Sequence, residues 1–126
     1  MKARETALRL KRFEMDEKAR KVADLEQMIR EFENIASDLD RQIHAEEDRT
    51  GVKDPRHFAY STFAKSASQR RDNLRASIAE LRQKLETAQR DFDDAKQQLA
   101  RVTTDQPREV TRSRRRHERT AGLALR

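Results

Sequence analysis

An all-α fold is predicted for this chain: two long helices forming an antiparallel coiled-coil hairpin, with a basic C-terminal tail. Three observations lead there. Apolar residues recur at alternating steps of three and four over two long stretches, the mark of a narrow helical seam. Glycine and proline are scarce, two of each in 126 residues, and both glycines lie outside the periodic stretches. The chain is 41% charged and 34% hydrophobic, too few apolar side chains for a compact globular core. Such charge is compatible with disorder, but disorder does not sustain a 3.5-residue period.

The first helix is expected over about residues 3–49. Positions 8, 15, 22, 29, 36 and 43 read Leu, Met, Val, Ile, Ala and Ile. The second row, at 11, 18, 25, 32, 39 and 46, reads Lys, Lys, Leu, Phe, Leu and Glu. The seam is therefore apolar through its middle and fails at Lys11, Lys18 and Glu46. A helix of that span is about 70 Å long at ~1.5 Å per residue. Such a stripe cannot stay in water alone, so a partner helix is required.

A tip follows over residues 50–61. Gly51 suits the position just beyond a helix end. Asp54-Pro55 reads as an N-cap with proline at the first helical position, or as a turn. Ser61 or Thr62 can cap the next helix. His57-Phe58-Ala59-Tyr60-Ser61-Thr62-Phe63 holds three of the chain's six aromatic residues.

The second helix is expected over about residues 62–105. Positions 67, 74, 81, 88, 95 and 102 read Ala, Leu, Leu, Ala, Ala and Val, and 71, 78, 85, 92 and 99 read Arg, Ile, Leu, Phe and Leu. This is the missing partner, and the short connection favours an antiparallel return. Two registers satisfy the seams. One sets Phe32 opposite Ile78, Ile29 opposite Leu81 and Leu25 opposite Leu85, with a short loop. The other sets Glu46 opposite Arg71 and Ile29 opposite Ala88, and leaves about 16 residues at the tip; loop-length preference favours the first. Pro107 is expected to end or kink the second helix, and residues 107–126 to form a basic tail, disordered or a short helix.

Charge is unevenly placed within the total of +6. Residues 1–21 carry +4, residues 22–60 carry −5, residues 61–106 carry +2 and residues 107–126 carry +5. A hairpin gathers the two basic segments at one end, which suits an acidic partner surface or a solvated, solubilising end. Tail residues Arg112, Arg114, Arg115, Arg116 and Arg119 supply phosphate-binding cations, which makes nucleic acid the alternative partner.

Other classes are disfavoured. No cysteine means no thiolate or disulfide chemistry. No apolar run approaches a membrane span, and the N-terminus shows no signal-peptide core, so a cytoplasmic location is expected. No glycine-rich phosphate loop is present. The histidines, at 44, 57 and 117, are scattered; His44 beside Glu46, Glu47 and Asp48 is better read as solvated than as a metal ligand. Asp93-Asp94 and Glu46-Glu47-Asp48 have no pocket to tune them, so no catalysis, cofactor or small-molecule substrate is expected. At the tip, Leu39, Ile43, Phe58, Tyr60 and Phe63 form a candidate partner surface. The alternative is a satellite cluster pinning the loop onto the helices.

LRLKRFEMDEKARKVADLEQMIREFENIASDLDRQI, followed by HFAYSTFAKSASQRRDNLRASIAELRQKL, resembles the FliJ family of flagellar export proteins, most of all its alphaproteobacterial members. The features off the seam weigh most: the RLKRF start, the Asp54-Pro55 turn with HFAYSTFAK, and QRRDNLR. The resemblance covers about residues 5–100. It implies a small cytoplasmic antiparallel coiled coil like the gamma-subunit stalk of rotary ATP synthases. It implies a hexameric flagellar export ATPase, the membrane export gate and export chaperones as partners, with the helical termini entering the ATPase ring. The ring-facing set would then be Arg4, Arg9, Lys11, Arg12, Lys18, Arg20 and Lys21, leaving the aromatic tip for the gate or a chaperone.

Overall fold

The computed structural model describes the backbone of residues 2–124 and the side chains of residues 2–104. Over these residues the chain is all-helical. Helix α1 spans Lys2–Thr50, helix α2 spans Thr62–Ala124, and the two pack against each other. No glycine or proline interrupts α1, which is rich in the residues that lose least on becoming helical. Glu5 in its first turn and Arg49 in its last each sit at the end of the helix dipole that favours their charge.

The stop and the restart are both chemical. Gly51 takes φ 76°, left-handed backbone that a Cβ would strain, and its N–H still donates to the Glu47 carbonyl at 2.8 Å. The Asp54 carboxylate accepts the Arg56 N–H at 2.9 Å and its carbonyl accepts the His57 N–H at 3.0 Å, so Asp54-Pro55 is a turn. Ser61 is the cap of α2: its Oγ accepts the Ala64 N–H at 3.2 Å, and its carbonyl accepts the Lys65 N–H at 3.0 Å.

The chain divides into two compact units, Met1–Arg20 with Gln89–Arg126, and Lys21–Ala88. The Lys21–Ala88 unit holds the apolar core. Leu25, Ile29, Ile78, Leu81 and Ala88 form one buried cluster, with Val22, Phe32 and Leu85 packed against it. Leu39, Ile43, Ala64 and Ala67 form a second, against which Tyr60 and Leu74 pack. Each fully buried Leu or Ile contributes about 1.5–3 kcal/mol relative to exposure. Ion pairs close one flank: Asp40 meets Arg71 at 2.7 Å and Arg75 at 3.0 Å, and Glu33 meets Arg82 at 2.6 Å. Arg71 thus pairs with Asp40 rather than Glu46, whose carboxylate takes Arg49 and Ser61 instead. The register that sets Glu46 opposite Arg71 is not adopted.

In the unit formed by the chain ends, Ala95 is the one buried residue among those described, at 8% exposure. Lys11 occupies the seam there and donates from Nζ to Gln98 Oε1 at 3.0 Å, with Glu14 at 3.5 Å. Lys96 Nζ lies 4.9 Å from the centre of the Phe92 ring.

Helix α2 continues through Pro107, where the sequence predicts an end or a kink. Proline deletes one main-chain hydrogen bond and crowds the preceding turn, at about 3 kcal/mol. In a helix of 63 residues that interrupts the ladder without ending it. The tail arginines Arg112, Arg114, Arg115, Arg116 and Arg119 lie outside the residues whose side chains are described.

Candidate partner surfaces

The tip is an ordered turn built from its own polar groups. Besides the Asp54 bonds, His57 Nδ1 accepts the Ala59 N–H at 3.0 Å, and the His57 carbonyl accepts the Tyr60 N–H at 3.0 Å. Tyr60 anchors this turn. Its ring packs on the Leu39–Ile43–Ala64–Ala67 cluster and its hydroxyl donates to Glu47 Oε2 at 3.0 Å. Burial, and then the Glu47 carboxylate, push the phenol up from its ordinary value. Glu46 accepts from Arg49 and from Ser61 Oγ, and these bonds, Arg49 first, hold its carboxyl below the usual range.

Phe58 has the opposite role. The residue is 96% exposed and its ring stacks on His57, with ring centres 4.7 Å apart. Phe63 is 56% exposed. The aromatic cluster is therefore split: Tyr60 pins the loop, while Phe58 and Phe63 face solvent. Leu39 and Ile43, expected with the tip surface, are core residues at 6% and 4% exposure. Their heptad positions place them in the seam against Ala64 and Ala67, where no partner reaches them.

Of the candidate ring-facing cations, Arg9, Arg12, Arg20 and Lys21 are exposed, and Arg4, Lys11 and Lys18 are half-buried. Arg20 pairs with Glu17 at 3.3 Å, and Lys11 is engaged with Glu14 and Gln98. Among the described residues, no ion pair joins Arg9 or Arg12 to a carboxylate. The sequence reading missed two neighbours of these cations: Leu10 and Phe13 are 55% and 58% exposed. The signal was available, since both are large apolar residues three apart and off the seam rows.

Elsewhere the surface offers shallow grooves between charged side chains, one of them lined by Glu33, Ala36, Asp40, Arg75, Ile78 and Arg82. Among the described residues no group of three His, Cys, Asp or Glu could hold a metal ion, and no helix is long and apolar enough to cross a membrane. His44 Nδ1 is turned onto its own helix, 2.7 Å from the Asp40 carbonyl.

No family model, curated protein or solved structure matches this chain. Two exposed surfaces stand out among the described residues, the aromatic tip and the cation-bearing start of α1.

Proposed function

We propose that this chain is a non-enzymatic component of a flagellar protein-export apparatus. In this reading it is a stalk-like coiled coil, cytoplasmic and peripheral to the inner-membrane machinery. It binds the hexameric export ATPase and links that ring to the export gate and to substrate chaperones. Its form is the antiparallel hairpin. The order of contacts in the Lys21–Ala88 unit supports this: partners fall from Glu47 and Glu46 to Asp40 and Glu33 as their counterparts rise from Tyr60 and Ser61 to Arg71 and Arg82.

One observation carries the functional reading. HFAYSTFAK, one of the off-seam features that carry the family resemblance, opens on a hydrogen-bonded turn that spends Tyr60 on anchoring and leaves Phe58 96% exposed before α2 begins at Thr62. An exposed ring on a preorganised turn suits insertion into a partner's pocket, because little ordering entropy remains to be lost on binding.

The test is a pull-down of a purified flagellar export ATPase with this chain, together with the ATPase rate with and without it. The expected result is binding and a raised rate. Reversal of Arg9, Lys11 and Arg12 to glutamate should weaken the contact, more so at low salt. No binding and no change of rate would overturn the reading.

A further inference from the structure

The first four turns of α1 carry two different faces. One holds Leu8, Lys11, Met15 and Lys18, half-buried along the seam, with Lys11 bonded to Gln98. The other holds Ala3, Ala7, Leu10 and Phe13, all exposed. Steps of four, three and three place these residues in one row on a helix. It is a second apolar stripe, and its two large members are more than half exposed. Lys2, Arg9 and Arg12 accompany it, all exposed, and among the described residues none has a carboxylate within ion-pair distance. Glu5, Asp16 and Glu17 are the exposed anions nearby, and Glu17 is taken by Arg20.

An amphipathic helix with anchors at such spacing fits a groove that encloses the apolar row, and unpaired cations beside it call for carboxylates on the groove's rim. Two large apolar side chains are a small payload for holding a helix in lipid, whereas a closed groove contacts each ring and branch on several sides. We propose that Ala3, Ala7, Leu10 and Phe13, with Lys2, Arg9 and Arg12, form the face that docks into an apolar, carboxylate-rimmed groove of the export ATPase. The proposal rests on the function argued above and adds that Leu10 and Phe13, rather than charge alone, anchor the contact.

The experiment compares full-length wild-type chain, Leu10→Ser/Phe13→Ser, and Arg9→Ala/Arg12→Ala for binding to purified export ATPase at low and high salt. Both apolar positions are exposed, so far-UV circular dichroism and the melting midpoint should stay at wild-type values. Phe13→Ala, which favours helix, repeats the direction should the double variant lose structure. The serine variant should bind about tenfold or more weakly at both salt concentrations. The arginine variant should bind weakly at low salt and approach wild type at high salt. Wild-type binding that the serine variant retains in full overturns the anchor and leaves the functional reading standing. Absence of wild-type binding overturns both. Two further arms use phosphatidylglycerol-containing vesicles and sedimentation across concentration. A defect of the serine variant in either, with ATPase binding intact, reassigns the face to lipid or to a second copy and overturns the proposal.

Discussion

Replacing Asp40 and Arg71 by alanine, singly and together, tests the packing of the two helices at one defined contact. Asp40 accepts from Arg71 at 2.7 Å and from Arg75 at 3.0 Å, with side-chain exposures of 31% for Asp40 and 20% for Arg71. Exposed pairs couple by about 0.2–1 kcal/mol, and charge-assisted hydrogen bonds with partly buried members by somewhat more. Arg71 keeps Asp72 at 3.3 Å when Asp40 is removed, and Asp40 keeps Arg75 when Arg71 is removed, so neither single variant strands a bare charge. A coupling of about 1 kcal/mol is expected from the four urea-unfolding curves. The matching Glu46–Arg71 cycle should give none.

The acid limb of stability supplies an independent check. The hydrogen bond from Arg71, opposed by partial burial, holds Asp40 below its ordinary value of 3.8. A depressed carboxyl stabilises above its unfolded value and loses that contribution as pH falls through the lowered one. The gap between wild type and Asp40→Ala should thus be full near neutrality and close below about pH 4. Coupling within error of zero for Asp40–Arg71, or coupling transferred to Glu46–Arg71, would refute the contact order on which the antiparallel reading rests.

Further outcomes are expected. Ile78→Ala, which truncates a residue 6% exposed in the first cluster, should cost about 2–4 kcal/mol in urea unfolding. Gly51→Ala meets no atom within 4 Å but forces a Cβ onto φ 76°, and should lower stability by about 1–2 kcal/mol. Phe58→Ser should leave the unfolding free energy within about 0.5 kcal/mol of wild type and, under the proposed function, weaken binding to the gate or a chaperone. Amide hydrogen exchange should be faster over residues 3–20, whose unit buries only Ala95 among the described residues, than over residues 25–43. Equal protection in the two segments would contradict that ranking.

Much of the packing was legible because a heptad repeat is a one-dimensional pattern in the sequence. Leu25, Ile29, Ile78 and Leu81 are buried where their spacing puts them, and Gly51 and Ser61 do what their chemistry suggests at helix ends. Ala64, with 0% exposure, escaped notice although it stands one heptad before Arg71 in the second row. Its small side chain gives a weak periodic signal, yet small size is what lets the helices approach there. Pairing was harder to read. Arg71 could have met Glu46 or Asp40, both acidic and both near the seam, and only their distances decide. The candidate partner surfaces were half legible. Cations near the N-terminus stood out by charge, but Leu10 and Phe13 fell between two seam rows and were passed over. Leu39 and Ile43 were assigned by nearness to the tip, when their own heptad positions mark them as core.

Ser61 also bears on how the chain folds. Its Oγ accepts from the first turn of α2 and donates to Glu46, 15 residues back in the last turns of α1. Tyr60 repeats the tie to Glu47 across 13 residues. Closing so short a loop costs little chain entropy compared with joining the distant halves of the seam. The turn should accordingly form before the rest zips up behind it, and Ser61→Ala should slow folding nearly as much as it destabilises the native state. A kinetic φ-value near one in stopped-flow refolding would support that order. A value near zero, with the whole effect in the unfolding rate, would place nucleation elsewhere along the seam.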